Sequence, residues 1–282
     1  MPLAAPTRYA VIGNPVAHSK SPWIHARFAE QTGQQLAYGT ICAPVDEFAS
    51  QVRDFFAAGG GGLNVTVPFK LQAFDLAQDH ASARARAAGA VNTLWMSNGQ
   101  LHGCNTDGVG LVNDLRRLGA RLAGARVLLA GAGGAARGIV LPLIEAGCAS
   151  IDIANRTPAR AVELAASFAG AGHGAALRGT SYADLPAGTQ WDLVINATAS
   201  SLSDEAPPLP ARAYAAGGLA YDLMYAARPT AFMRQAAADG AAGTADGLGM
   251  LVEQAAESFF IWRGVRPDPA PVLADLRKQL SA

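Results

Sequence analysis

The segment Arg126-Val-Leu-Leu-Ala-Gly131-Ala-Gly133-Gly134-Ala-Ala136-Arg137-Gly138 decides the fold of this chain. An apolar run of strand length, Val127 to Ala130, enters a glycine turn that opens a helix. Gly131, Gly133 and Ala136 fit the pattern G-x-G-x-x-A. The first small residue permits the tight turn. The second lets the backbone approach a pyrophosphate, and the third lets the helix sit close on the strand. The helix start offers free N–H groups and partial positive charge to phosphates. Glycine turns after strands are common, so the pattern alone also fits a tight turn without a ligand.

The next strand sharpens this reading. Ser150-Ile-Asp152-Ile-Ala154 runs into Asn155-Arg156-Thr157-Pro158-Ala159-Arg160. An NAD site expects an acidic residue about 20 positions past the glycines to hold the ribose 2′-hydroxyl. Here the strand ends in Asn155 and Arg156, and alternation turns Asp152 to the other face. A guanidinium suits a 2′-phosphate by charge and by its planar fork of donors. Arg160, on the first turn of the next helix, adds a second cation. A solvated arginine pair on a loop is the ordinary alternative. The cofactor expected is NADP(H), because one βαβ unit would bring these glycines and arginines together.

Working outward, 282 residues suffice for two domains, and a 50% hydrophobic composition predicts a sizeable core. The 22 basic and 22 acidic residues balance, which points to neither nucleic acid nor an acidic membrane as partner. The start, Met1-Pro-Leu-Ala-Ala-Pro6, has no charged region leading into an apolar run, so no secretory signal is predicted. No apolar run is long enough to span a bilayer. Cys42, Cys104 and Cys148 are scattered without C-x-x-C spacing, so neither a disulfide framework nor a metal site is expected. A cytoplasmic protein, monomer or homodimer, is the expectation.

The N-terminal third alternates strand and helix. Strands are predicted at Arg8 to Ile12, Leu36 to Cys42 and Leu63 to Val67, with a final pair, Ala90 to Met96 and Gln100 to Gly103, joined at Ser97-Asn98-Gly99. Helices are predicted from about Ser21, through Phe48, Val52, Phe55 and Phe56, and over Leu71 to Ala88. This alternation argues for an α/β domain with a mostly parallel sheet. Polar residues gather at its strand ends, where open α/β sheets bind ligands: Ser19 and Ser21 after the first strand, Asn64, Thr66 and Lys70 after the third, then Asn92, and Asn105-Thr106-Asp107. Ordinary roles exist for each: Ser19 or Ser21 as a helix cap, Asn92 as a turn former, Asp107 as N-cap of a helix over Gly108 to Leu118. Lys70 and Asp107 are the sharper pair. A lysine near apolar surface can serve in proton transfer, and a nearby carboxylate holds it in place.

Farther along, strands are predicted at Trp191 to Ile195 and Gly218 to Asp222. Helices are predicted at Thr230 to Ala238 and at Gly247 to Trp262, the latter with Leu248, Leu251, Val252, Ala255 and Phe259 on one face. Ser203 to Pro210 is a polar, proline-rich loop between the two strands.

Taken together, these segments resemble the NADP-dependent shikimate dehydrogenase family. The matches are Gly13-Asn-Pro-Val-Ala-His-Ser19-Lys-Ser21-Pro22, Asn64-Val-Thr-Val-Pro-Phe-Lys70, Gly89-Ala-Val-Asn92-Thr, Asn105-Thr-Asp107-Gly, the glycine turn, Asn155-Arg-Thr157, Asn196-Ala-Thr198, Tyr221-Asp-Leu-Met-Tyr225, and Asp246-Gly-Leu-Gly-Met-Leu251 with Gln254. They keep the family's order over nearly the whole chain.

The resemblance implies two α/β domains with the active site in the cleft between them. Residues 1–107, completed by 247–282, would form the substrate domain, and residues 108–246 a Rossmann-like NADP-binding domain. It implies that Ser19 and Ser21, with Tyr225, hold a substrate carboxylate. Thr66, Lys70, Asn92, Asp107 and Gln254 would meet the ring hydroxyls and the reacting oxygen. Lys70 would be the acid/base, paired with Asp107. Gly131, Ala132, Gly133, Gly134 and Ala135 would carry the pyrophosphate, and Asn155, Arg156, Thr157 and Arg160 the 2′-phosphate. Leu223 and Gly247 would border the nicotinamide. The implied reaction is reversible NADPH-dependent reduction of 3-dehydroshikimate to shikimate.

Ser201 stands where the family usually has glycine, Arg228-Pro229-Thr230-Ala231 keeps part of a proline pattern, and Cys104 adjoins the Asp107 segment. A quinate-acting relative using NAD is the nearest rival, and Ser19, Ser21 and Arg156 speak against it. A non-catalytic NADP-binding regulator is the rival of another class; intact Lys70 and Asp107 speak against that.

Overall fold

The computed structural model describes residues 5–168, 170 and 174–281. Residues 1–4, where no secretory signal is expected, lie outside the described residues. In chain order the first elements are β1 (Thr7–Gly13), α1 (Ser21–Thr32), β2 (Leu36–Cys42), α2 (Phe48–Ala57), β3 (Gly62–Val65), α3 (Lys70–Ala77), α4 (Ala83–Ala88), β4 (Thr93–Ser97), β5 (Gln100–Cys104) and α5 (Asp107–Arg117). Then come β6 (Arg126–Ala130), α6 (Gly134–Glu145), β7 (Ser150–Ala154), α7 (Pro158–Ser167), β8 (Ala176–Thr180), β9 (Trp191–Asn196), β10 (Tyr214–Asp222), α8 (Ala231–Ala238), β11 (Gly243–Asp246), α9 (Leu248–Arg263) and α10 (Pro269–Ser281). They form two compact units, each α/β. One runs to Gly110 and resumes at Val252–Asp275; the other is Leu111–Leu251 with the segment from Leu276.

The first unit holds a five-stranded sheet in the order β2-β1-β3-β4-β5. β1 runs parallel to β2 and β3, pairing Val11 with Thr40 and with Asn64. β4 is antiparallel to β3 and to β5, and Asn98-Gly99, both at positive φ, make the hairpin turn between β4 and β5. β1 is buried on both faces from Tyr9 onward, as a strand covered by helices on each side must be. Ile12, Leu63, Val65, Phe48, Phe69 and Leu94 form the core under α2 and α3.

The single helix expected over Leu71 to Ala88 is instead α3 and α4, separated by a short 3-10 turn at Gln78–His80. Ala81 bridges to Gly103, the Ser82 N–H donates to the Gly103 carbonyl at 2.8 Å, and Ser82 Oγ caps α4 by accepting from the Ala85 N–H. Buried Ala73, Ala77, Ala81 and Ala85 keep i+4 spacing through the break, so periodicity could not reveal it. The third strand ends at Val65 and the fourth begins at Thr93, both shorter than expected. Residues 91 and 92 spend their N–H groups elsewhere: Val91 donates to the Lys70 carbonyl at 2.9 Å and Asn92 to the Cys104 carbonyl at 3.0 Å.

The second unit is a Rossmann-like, all-parallel sheet in the order β11-β10-β9-β6-β7-β8. β6 is central: Leu128 pairs with Asp152 of β7 on one side and Val194 of β9 on the other. The strand order reverses between β6 and β9, which opens a crevice at their carboxyl ends. Val127, Leu128, Leu129 and Ala130 are wholly buried, as are Ile139 and Leu143 of α6 above them. Two strands and one helix went unassigned from the sequence: β8, β11 and α10. No helix among the described residues is long and apolar enough to cross a membrane.

Candidate active site

In the first unit, the polar residues at the strand ends converge. Lys70 opens α3 and Asp107 opens α5, and Lys70 Nζ donates to Asp107 Oδ2 at 2.6 Å. Both side chains keep some contact with solvent, 29% and 12% exposed, so the ammonium is held yet reachable. The other oxygen, Asp107 Oδ1, accepts from Asn92 Nδ2 at 2.8 Å. Asp107 is therefore the first helical residue rather than the cap. Its own N–H donates to Asn105 Oδ1 at 3.1 Å.

Asn92 is buried and its position is over-determined. Its Oδ1 accepts from the Thr106 N–H at 2.9 Å and from Thr93 Oγ1 at 2.9 Å, while Nδ2 also reaches Thr106 Oγ1 and Gln254 Oε1. Gln254 comes from the part of α9 that belongs to this unit, and Ser258 one turn on joins the cluster. Ser258 Oγ lies 2.8 Å from Thr93 Oγ1 and accepts from Asn64 Nδ2 at 3.0 Å. Asn64 Oδ1 accepts from the Tyr38 hydroxyl at 2.7 Å. Thr93 and Thr106 stand in the polar strand-end segments that the sequence marks, whereas nothing in the sequence marks Tyr38 as part of the site. For Ser258 a signal existed: Gln254 and Ser258 are polar residues four apart on a helix whose other face is apolar.

Ser19, Ser21 and Thr66 lie at the same sheet edge. Neither serine caps α1 with its side chain; Lys20 holds the cap position, and Ser19 Oγ accepts from the Ser21 N–H at 3.3 Å. Ser21 is buried against Tyr38, whose phenol burial pushes well above its usual range while the Ser21 hydrogen bond pulls the other way. Thr66 packs on Gly13, where an added Cβ would lie 2.3 Å from Thr66 Cγ2. One turn beyond Ser21, His25 is wholly buried among Phe28, Tyr38, Phe259 and Trp262, its ring stacked on Tyr38 at 4.3 Å. Neither ring nitrogen makes a hydrogen bond among the described residues, and burial drives its pKa down to about 3 against a weaker pull from Asn64.

In the second unit, the glycine turn sits at the switch point. Gly131 has φ +107°, a conformation that suits glycine, and a Cβ there would lie 3.1 Å from the Ala197 backbone. Ala132 follows half-buried, and Gly133, Gly134 and Ala135 are exposed at the start of α6. A Cβ at Gly133 or Gly134 would meet no other described atom within 4 Å, so the first residues of α6 stand clear of neighbouring side chains. Ala136 is wholly buried where helix meets strand.

After β7, Asn155 Nδ2 donates to the Thr157 carbonyl at 3.0 Å, and Arg156, Thr157 and Arg160 are exposed. Among the described residues neither arginine has a carboxylate within 4 Å, unlike Arg126 with Asp192 or Arg178 with Asp152. Asp152 does face away: it accepts from Trp191 Nε1 at 2.8 Å and Arg178 Nε at 3.0 Å. Leu223, just past β10, donates its N–H to the Asn196 carbonyl at 2.9 Å. Gly247 presses on Leu223 so closely that a Cβ would stand 2.1 Å from its carbonyl oxygen. Tyr225 is half-buried in this unit, its phenol pushed up by burial and then by the charge of Asp246.

Comparison with known proteins covers nearly the whole chain. Residues 11–94 match the shikimate dehydrogenase substrate binding domain, 114–203 the shikimate/quinate 5-dehydrogenase model, and 247–277 the shikimate 5′-dehydrogenase C-terminal domain. The chain is 65% identical to shikimate dehydrogenase (NADP(+)) of Bordetella avium over 98% of its own length and 96% of that relative's. Among solved structures it is similar to the Ael1 enzyme of Pseudomonas putida, with 47% identity, TM-score 0.89 and 98% of each chain covered. It is also similar to shikimate 5-dehydrogenase of Thermus thermophilus in complex with NADP(H) and shikimate, with 36% identity, TM-score 0.83, and coverage of 97% and 100%.

Proposed function

The chain belongs to the shikimate dehydrogenase family, and on that premise we propose how its residues divide the work of the reaction. It is an NADP-dependent oxidoreductase that reversibly reduces 3-dehydroshikimate to shikimate. We assign substrate binding to residues 1–107 with 247–282, and NADP binding to residues 108–246.

The second unit fits the cofactor on its own chemistry. Its turn leaves clear space at Gly133 and Gly134, where α6 begins, and exposed Arg156 and Arg160 have no carboxylate partner among the described residues. Gly131, Ala132, Gly133, Gly134 and Ala135 would hold the pyrophosphate, and Asn155, Arg156, Thr157 and Arg160 the 2′-phosphate. Leu223 and Gly247 would border the nicotinamide. NADPH, when bound, supplies the hydride to the substrate's carbonyl carbon.

Lys70 does the proton work. As negative charge grows on the carbonyl oxygen, its ammonium stabilises that charge and gives up a proton; in the reverse direction the amine takes the proton back. Asp107 keeps the ammonium aimed, and Asn92 keeps Asp107 aimed. Thr66, Asn92 and Gln254 offer hydrogen bonds to ring hydroxyls, and Ser19, Ser21 and Tyr225 offer hydroxyl donors to the substrate carboxylate. The observation that carries this reading is the Lys70–Asp107 contact at 2.6 Å, braced by Asn92 on the second oxygen. We place the protein in the cytoplasm as a monomer or homodimer.

The test is absorbance at the NADPH band with shikimate or quinate and NADP or NAD, in all four pairings, for wild type and Lys70→Ala. Turnover confined to shikimate with NADP, and lost by about 100-fold or more in the variant, is expected, since acid–base catalysis is worth ~10²–10⁴. Preference for quinate or NAD would overturn the specificity assignments, and full turnover by Lys70→Ala would remove it from the mechanism.

A further inference from the structure

The loop after β9 carries a hydrogen-bond network with no part in the roles assigned so far. Asp222, the last residue of β10, is wholly buried. Its Oδ1 accepts from Asn196 Nδ2 at 3.2 Å and from the Met224 N–H at 3.0 Å. Its Oδ2 accepts from Ser201 Oγ and from Thr230 Oγ1, each at 2.6 Å. All four donors are uncharged. A buried carboxylate depends on such donors, and short hydroxyl-to-carboxylate bonds are among the stronger ones.

Besides Asn196, which ends β9, these donors come from three places in the chain. Ser201 lies in the 3-10 turn Ser200–Ser203 that follows β9, Met224 lies just past β10, and Thr230 caps α8. The start of the Ser201 loop, Ala197 and Thr198, is what stands 3.1 Å from a Cβ at Gly131. Thr198 itself is pinned by Asn196, whose Oδ1 accepts from Thr198 Oγ1 at 2.6 Å. On the far side of Asp222 is Leu223, which Gly247 contacts. The Ser201 hydroxyl thus couples the loop beside the glycine turn to the strand end that presents Leu223. A glycine at this position would have no hydroxyl to make this bond.

We propose that Ser201 is a positioning residue for hydride transfer: through Asp222 it fixes the place of Leu223 and so the surface on which the nicotinamide rests. This rests on the assignment of Leu223 and Gly247 to the nicotinamide. Small displacements of a reacting group have large kinetic effects, about 10²-fold for an ångström.

Two measurements test it on Ser201→Ala, Ser201→Gly and the hydroxyl-retaining Ser201→Thr. The first is amide hydrogen exchange over residues 197–203, 223 and 224 in the cofactor-free protein. The second is single-turnover reduction of 3-dehydroshikimate with NADPH and with NADPH deuterated at the transferred hydrogen. In Ser201→Ala and Ser201→Gly, exchange should quicken and hydride transfer should slow, each about tenfold. The isotope effect should rise, KM for 3-dehydroshikimate should stay within about twofold, and Ser201→Thr should restore the rate, as a misplaced nicotinamide requires. A purely structural role would lower Tm yet leave rate and isotope effect unchanged, and that result overturns the proposal. Thr230→Val, which removes the other short bond to Asp222 Oδ2, should act in the same direction and serves if a Ser201 variant fails to fold. Leu223→Ala separates the layers. Normal Ser201 variants beside a slowed Leu223→Ala remove the proposal alone, whereas a Leu223→Ala with wild-type transfer removes the nicotinamide assignment and the proposal with it.

Discussion

Asp107 answers to two donors at once, and this makes it a sharper probe of the site than the lysine it holds. Asp107→Asn keeps the size of the side chain but removes the charge that aims the Lys70 ammonium across 2.6 Å. We expect kcat to fall about 100-fold with KM changed far less, since positioning and proton transfer act in the transition state; steady-state kinetics with NADPH checks this. His25 makes a different prediction, about stability. Its pKa of about 3 lies below the ordinary histidine value of 6.5, so between these values the unfolded chain binds a proton that the folded one refuses. The associated stability is whole above pH 6.5 and is lost as pH falls toward 3. Lowering the pH from 7 to 5 should cost about 2 kcal/mol through this group, at ~1.4 kcal/mol per pH unit. His25→Phe, which suits the ring of Phe28, Tyr38, Phe259 and Trp262, should abolish that component; urea unfolding at pH 7 and pH 5 for both proteins measures it. At this scale the sequence was most legible where function writes short polar motifs at strand ends, as with Lys70, Asn92 and Asp107. It was least legible for Tyr38 and Ser258, single polar residues whose partner Asn64 lies far away in the chain.

Between elements, β8 packs backbone to backbone on α7. A Cβ at Gly179 would lie 2.2 Å from the Ala161 carbonyl carbon and 2.3 Å from its oxygen, and backbone atoms within a helix have little room to yield. Gly179→Ala should therefore cost about 2–4 kcal/mol, at or above the usual range for overpacking, read as a lower midpoint in urea. β8 was nonetheless invisible beforehand. Its sequence, Ala-Leu-Arg-Gly-Thr, has one large apolar residue, because an edge strand needs to bury little. β11, Gly-Thr-Ala-Asp, is the opposite edge and was missed for the same reason. The interior strands β6 and β9 were plain, since burial on both faces writes a nearly continuous apolar run. The Asn98-Gly99 hairpin was equally plain, because the turn's chemistry is local. The α3–α4 break was hidden because its cause, Gly103 of β5 taking the Ser82 N–H, is a tertiary contact. Local causes can be read locally; a strand that pairs elsewhere can override them without disturbing the pattern.

For the molecule as a whole, cofactor binding is a stability statement. NADPH at about 100 times its Kd should stabilise the fold by ~2.7 kcal/mol, visible as a rise in Tm. NADH at the same concentration should give a smaller rise, and Arg156→Ala should narrow the difference; equal shifts for both cofactors in wild type would contradict the 2′-phosphate assignment. The discontinuity of the first unit, which pauses at Gly110 and resumes at Val252, has its own consequence in the order of synthesis. A ribosome adding ~5–20 residues per second needs roughly 7–30 s to cross that gap. During that interval Lys70, Asn92 and Asp107 have already been made, but Asn64 has no Ser258 to bond and Phe28 has no Phe259 to pack against. The nascent N-terminal part must wait, apolar surface uncovered, while the unit encoded in the middle has all but its last few residues in hand. The chemistry written first is assembled last, and it is this half-made interval, rather than the finished protein, in which a chaperone would find most to hold.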